Sequence, residues 1–345
     1  MMEHGGILED YSKDLLDFST NINPLGYPYG VEEAIGEGVL ALKRYPDLRY
    51  RELKTIVSEY LGGSAEQTSL GCGSIEIIDA LISLYDRIII SEPCFSEYRL
   101  RSEVRNKIVE SYPLDKILNE PSSLKLDRDT SIILGNPNNP TGKRISKEKL
   151  LYLYKEVANK NSYLILDEAF FEFSSPDYDS VELFTGAGFS NVAIIRASTK
   201  FFGLPGLRFG YALSEKEIAE RIDKIKLPWS LNAFVLPVAR LIFKDKEFIT
   251  NSKEFFQVER DYLKKEYKTF SFLKMLDTDC NFYLLKFNGV KASFVFDELL
   301  KRGILTRKTE NFNLEFEALR LAIKSREDNL NLLKALKDIE KGLIR

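Results

Sequence analysis

A lysine set among hydroxyls, with an arginine eight residues later, is the most reactive pattern in this chain: Ser198-Thr199-Lys200, then Arg208. A lysine amine attacks carbonyls once burial or neighbouring positive charge has lowered its pKa. An arginine beside hydroxyls suits a phosphate. Gly203, Pro205 and Gly206 impose an irregular loop between the two cations. Taken alone, the stretch reads as a solvated lysine and a surface arginine after an ordinary strand. Other positions change that balance. Gly73-Ser74 opens an apolar-periodic helix, whose first backbone N–H groups form a natural anion seat. Asp167 closes an apolar run, where a carboxylate is costly without a cationic partner. Asn139 sits in a loop stiffened by Pro137 and Pro140, and Phe95 follows another strand end with an aromatic face for a flat ligand. Each has a commoner structural explanation as a cap, turn former or core ring. Their combination in this order does not.

The elements that must position these residues are apolar runs alternating with helices. Ile88–Ile90, Ser131–Leu134, Tyr163–Leu166 and Val192–Ile195 read as buried strands, and they end just before Phe95, Asn139, Asp167 and Lys200 respectively. Ligands of open α/β sheets bind at the carboxyl ends of strands. Helices are expected over Glu32–Lys43, over Arg51–Leu61 with a stop at Gly62-Gly63, and after Ser146 as N-cap. From Glu215 the pattern becomes helix-rich, with helices expected over Glu215–Ile225, Ala233–Phe243, Ser252–Tyr267 and Ala292–Arg302. Strands are expected at Asn281–Phe287 and Leu319–Ile323. A Ser325/Asp328 capping box opens a last helix with Leu330, Leu333, Leu336 and Ile339 on one face. The fold class is therefore α/β, with a large domain built on a mostly parallel sheet flanked by helices and a smaller α+β domain. The expected division is 1–44 as an N-terminal arm and first helix packing with the small domain, 45–230 as the large domain, and 231–345 as the small one.

Composition narrows the chemistry. The 345 residues carry a net charge of −3 with cations spread along the chain, which makes no electrostatic case for nucleic acid or an anionic membrane. Cys72, Cys94 and Cys280 lack metal-ligand spacing and read as reduced thiols. With no membrane-length apolar run, the expectation is a cytoplasmic protein. His4 is the one histidine, which argues against a Ser-His-Asp hydrolase or a histidine zinc site. Acid–base work falls to Lys, Tyr or carboxylates.

Asn-Pro-Thr-Gly at 139–142, Asp167-Glu168-Ala169 and Ser-Thr-Lys with Arg208 at +8 resemble the fold-type I pyridoxal-phosphate enzymes of the aminotransferase class I/II superfamily. The resemblance spans nearly the whole chain. It implies pyridoxal 5'-phosphate as cofactor, with Lys200 as its covalent attachment and the catalytic residue. Asp167 would pair with the ring nitrogen, Asn139 bond the ring hydroxyl and Phe95 stack on the ring. Gly73, Ser74, Ser198, Thr199 and Arg208 would hold the phosphate. Ser198 enters because Ala197 stands where the family often has a hydroxyl. A homodimer is implied, with Tyr45 reaching across from the second subunit.

Two branches of that superfamily are similar to this chain. Histidinol-phosphate aminotransferases share Arg44-Tyr45-Pro46-Asp47. Threonine-phosphate decarboxylases of cobalamin biosynthesis are similar at His4-Gly5-Gly6, at Phe18 to Gly26, at Pro228 to Ala233 and at Leu319 to Arg326. They are also similar at Phe170, where the aminotransferase pattern has a tyrosine. The second resemblance implies a phosphorylated amino-acid substrate, a carboxylate clamp at Arg320, and further substrate contacts from His4, Asn23 and Arg326. Lys324 reads more simply as a surface cation. A non-catalytic pyridoxal-phosphate-binding regulatory module is a remote alternative, disfavoured by the intact lysine.

Overall fold

The continuous apolar runs decide the architecture, because successive side chains of a strand point to opposite faces of the sheet. In a computed structural model describing residues 5–6, 15–174 and 177–343, those runs form the middle of a seven-stranded sheet. In chain order the strands are β1 (Leu16–Asp17), β2 (Thr68–Cys72), β3 (Arg87–Glu92), β4 (Ile108–Pro113), β5 (Thr130–Gly135), β6 (Tyr163–Asp167), β7 (Val192–Ala197), β8 (Phe209–Leu213), β9 (Leu273–Met275), β10 (Phe282–Phe287), β11 (Ile304–Leu305), β12 (Arg307–Lys308) and β13 (Ala318–Ala322). The large sheet has the order β2-β8-β7-β6-β5-β3-β4, and β8 alone runs against its neighbours β2 and β7. Ile132, Leu134, Leu164, Leu166, Val192 and Ile194 pack into a core on one face. Ile133, Ile165, Ala193 and Ile195 pack into another on the opposite face. Burial on both faces is what makes these strands continuous apolar runs rather than alternating ones.

The helices are α1 (Val31–Ala41), α2 (Arg51–Leu61), α3 (Ser74–Ser83), α4 (Glu97–Val104), α5 (Leu114–Asn119), α6 (Lys147–Asn159), α7 (Ser180–Thr185), α8 (Lys216–Ile225), α9 (Val235–Ile242), α10 (Lys246–Tyr267), α11 (Ala292–Leu300) and α12 (Arg326–Leu343). Ser146 caps α6 by accepting from Lys149 N, and Ser325 and Asp328 bond each other at the start of α12. Gly62 ends α2 at φ 83°, a left-handed conformation that costs glycine least.

Several expectations shift. α10 begins at Lys246 rather than Ser252, because Asp245 caps it through Phe248 N at 2.9 Å. On α12, Leu330 is 49% exposed and Leu332 is fully buried, so the apolar stripe runs through Leu332, Leu333, Leu336 and Ile339. β8 follows Arg208 directly and went unmarked in the sequence, because Phe209-Gly-Tyr-Ala-Leu looks like a continuation of the glycine-rich loop.

The C-terminal part is built on an antiparallel sheet of order β12-β13-β10-β9. The start of the chain is stitched into it. β1 pairs in parallel with β11, and Ala322 N donates to Phe18 O at 2.9 Å. The arm then turns back, and Asn23 N donates to Lys200 O. No helix among the described residues is long and apolar enough to cross a membrane.

Candidate active site

β2, β3, β5, β6 and β7 share one direction, so their carboxyl ends lie along one edge of the sheet. At that edge is a cavity of about 490 Å³. Its walls include Ser74, Phe95, Asn139, Asp167, Thr199, Lys200 and Arg208 from the large sheet's edge, and Arg307, Phe312 and Arg320 from the C-terminal part. Gly5 and Ser19 to Asn21 close it from the arm. The sequence-derived set is thus largely brought together by the loops at one edge of the sheet.

Lys200 lies in the loop after β7. Burial lowers its amine to about 8, and the positive charges of Arg320 and Arg208 push in the same direction. The amine is therefore available in its neutral form near physiological pH. Asp167 ends β6 at the cavity wall, largely buried, and burial raises its carboxyl pKa. Two donors oppose that rise: Tyr98 Oη at 2.7 Å from Oδ2 and Ala169 N at 3.0 Å from Oδ1. Among the described residues no cation pairs with it. Its neighbour Glu168 faces the other way and binds Arg196, Ser180 and Asn136, so the second carboxylate of the pair is structural.

The anion seat is built around a missing side chain. Gly73 has φ 78° and ψ 164°, and a Cβ there would lie 2.3 Å from Arg208 Nη2. Glycine lets that guanidinium reach the N-terminus of α3, whose first turn has no side-chain cap. Gly73 N donates to Arg208 O, fixing the two loops together. Gly210 allows a second close approach, since its Cβ would fall 2.3 Å from Ser74 N.

At the other end, Arg320 is buried. Its Nη1 donates to Asn139 Oδ1 at 2.6 Å and its Nη2 to Ser19 O at 2.9 Å, while its Nε is buried without a partner. Burial, reinforced by Arg307, drives its pKa down to about 9. Among the described residues no carboxylate forms an ion pair with this guanidinium. Arg307 also lines the cavity, and Phe312 lies between the two guanidiniums, 5.7 and 5.9 Å from them. Phe170 forms an apolar wall, packed edge-on against Phe282 at 4.9 Å.

Some expected site residues stand elsewhere. Ser198 is buried, and its hydroxyl donates to Phe209 O, so Thr199 and not Ser198 presents a hydroxyl to the cavity. Asn23 is consumed by Phe201 O, Ser252 Oγ and Leu25 N; it anchors the arm instead of lining the cavity. Arg326 binds Glu259 at 2.8 Å and covers the Tyr262 ring, away from the cavity. Tyr45 is 82% exposed and packs on Trp229. Lys324 is half-buried rather than a surface cation, and burial lowers its amine pKa. His4 lies outside the described residues. Tyr98, Arg307 and Phe312 were missed: nothing in their local sequence separates them from core or surface residues.

These features fit a phosphorylated, cationic aromatic ring: an anion seat, an aromatic face, a buried carboxylate and an amine of lowered pKa. Residues 13–336 match the family model described as aminotransferase class I and II, and the chain belongs to that family. Its enzymes work with pyridoxal phosphate, the cofactor the cavity fits. A protein from Caldanaerobacter subterraneus subsp. tengcongensis, provisionally named threonine-phosphate decarboxylase, is 37% identical across 99% of this chain and 95% of its own. Histidinol-phosphate aminotransferase 2 of Archaeoglobus fulgidus is 31% identical across 96% of this chain and 95% of its own. The crystal structure of the histidinol-phosphate aminotransferase from Clostridium acetobutylicum matches with a TM-score of 0.88 at 35% identity, covering 95% of this chain and 100% of that one.

Proposed function

We propose that this chain decarboxylates L-threonine O-3-phosphate to (R)-1-amino-2-propanol O-2-phosphate and carbon dioxide, a step of cobalamin biosynthesis. The observation that carries this reading is Phe170 on the cavity wall, three residues after Asp167, where the aminotransferase pattern has a hydroxyl. The 37% identical relative supports it.

Bound pyridoxal phosphate supplies an electron sink for the pair left behind when a bond to the substrate α-carbon breaks. The chain's own residues do the rest. Asp167, as a carboxylate, would keep a proton on the ring nitrogen. Asn139 would hold the ring hydroxyl and Phe95 would cover the ring. Arg208, Thr199 and the first turn of α3 would hold the cofactor phosphate. Lys200, with its amine lowered to about 8, is neutral often enough to attack and protonated often enough to return a proton. Arg320 grips the substrate carboxylate with its paired N–H fork and so selects the bond presented for cleavage. The carboxylate leaves as carbon dioxide and a proton takes its place on the α-carbon. Arg307, beside it, suits the substrate's phosphate. The family works as homodimers, and Tyr29, Leu40, Tyr45 and Leu227 are large apolar side chains left exposed in the single chain.

Histidinol-phosphate transamination with 2-oxoglutarate is the second reading, favoured by the 35% identical structure bearing that name. Purified protein with pyridoxal phosphate is given each substrate in parallel. Carbon dioxide release from threonine phosphate is expected. Glutamate formation from histidinol phosphate and 2-oxoglutarate, without carbon dioxide from threonine phosphate, would overturn the proposal.

A further inference from the structure

We infer that Tyr98 is a positioning residue for cofactor binding: its hydroxyl keeps the buried Asp167 carboxylate ionised and aimed into the cavity. The inference rests on Asp167 facing the cofactor ring nitrogen, but not on which reaction follows.

The geometry carries the argument. Tyr98 is 2% exposed, and its hydroxyl lies 2.7 Å from Asp167 Oδ2. Oδ1 is held by Ala169 N at 3.0 Å. The carboxylate is thus fixed at both oxygens by neutral donors, and no cation among the described residues shares its charge. Fixing it this way leaves its charge to be met by a cation arriving in the cavity, which a resident lysine or arginine would already have neutralised. A phenol also donates without competing for that role, because burial and the neighbouring carboxylate push its own ionisation well up.

Tyr98 is itself anchored. It sits in the first turn of α4, with its N–H on Phe95 O and its carbonyl accepting from Ser102 Oγ at 2.7 Å. The Phe95 and Tyr98 rings meet edge-to-face at 5.7 Å. One short segment after β3 therefore supplies both the aromatic face and the donor to Asp167. A rotation of that segment would move both together.

The test is pyridoxal-phosphate affinity, measured by absorbance titration of cofactor-free protein between pH 5.5 and 9. The proteins compared are wild type, Tyr98→Phe, Asp167→Asn and Tyr85→Phe. Tyr85 is a buried tyrosine stacked on Tyr163, away from the cavity. Removing the Tyr98 hydroxyl takes away a hydrogen bond to a charged group, so affinity falls about tenfold or more at pH 7. The sign of the pH effect follows. Losing the donor raises the Asp167 pKa further, so Tyr98→Phe loses affinity at a higher pH than wild type as pH falls. Tyr98→His, which restores a donor, recovers part of the loss. Tyr85→Phe binds like wild type. An unchanged affinity and pH profile in Tyr98→Phe would overturn the inference, as would an equal loss in Tyr85→Phe. Failure of Asp167→Asn to weaken binding would instead overturn the assignment of Asp167, and failure of wild type to bind would overturn the cofactor reading.

Discussion

Replacing Gly73 with alanine tests the anion seat more sharply than removing a charge would. The new Cβ would stand 2.3 Å from Arg208 Nη2, and the clash is with the far end of a flexible side chain. The guanidinium therefore yields by about 1 Å or more instead of breaking the core. Two separate costs follow. The backbone at φ 78° and ψ 164° is open essentially to glycine alone, so the fold loses about 1–3 kcal/mol. The displaced Arg208 would lose the hydrogen bonds proposed for it to the cofactor phosphate, which at about 1.5–3 kcal/mol for a charged pair is roughly a 10- to 100-fold loss of affinity. The assay is a pyridoxal-phosphate titration of wild type, Gly73→Ala, Arg208→Ala and the double variant, with thermal unfolding of each cofactor-free protein. The affinity losses of the single variants should overlap strongly, because both act through one guanidinium. The stability loss should appear in Gly73→Ala whether or not Arg208 is present. Additive affinity losses, or wild-type affinity in Gly73→Ala, would refute the seat as described.

Four more outcomes follow from the same geometry. Lys200, lowered to about 8, should give cofactor capture whose rate climbs with pH and levels off just above 8; stopped-flow absorbance that keeps climbing toward 10.5 would contradict the buried amine. The same group makes the fold less stable as pH falls from 10.5 to 8, since the unfolded chain binds that proton first; the penalty is complete below 8, and denaturation midpoints across that range check it. Arg320→Lys keeps a charge but loses the fork and its link to Asn139, so kcat/KM for a carboxylate substrate should drop on the order of 100-fold; a change within about twofold would remove Arg320 as the clamp. Gly210→Ala drives a Cβ to 2.3 Å from Ser74 N and 2.4 Å from the Gly73 carbonyl carbon, backbone that cannot swing aside. It should cost about 1–3 kcal/mol, read from chemical denaturation.

What the sequence displayed was the part of the site tied to strand ends. Asp167 and Lys200 each follow a run whose apolar character comes from burial on both sheet faces, so their position at one edge could be inferred from order alone. Asn139 needed only its prolines. Ser198 was misread because adjacent hydroxyls differ by one step in backbone direction, and the turn into β8 rotates that one toward Phe209 O. Arg326 was misread because its partner Glu259 is 67 residues away on α10. Tyr98 and Arg307 have no local mark at all. Their roles arise from contacts between segments distant in the chain, and a single sequence carries no record of those contacts. The α/β alternation was legible throughout. The strands β4, at the sheet's edge, and β8, between β2 and β7, carry polar or glycine residues and were not.

The stitching of the arm has a consequence for how the protein is made. Ser19 O waits for Arg320, 301 residues further along, and Phe18 O waits for Ala322. β1 has no partner until Ile304 and Leu305 exist. On a ribosome, the large sheet can assemble while the first segment of the chain still has nothing to pair with. Contacts of such long sequence separation are slow to close. The cavity is therefore among the last features to form, and a chain halted before β13 would hold Lys200 and Asp167 without the Arg320 guanidinium that closes the cavity's other end.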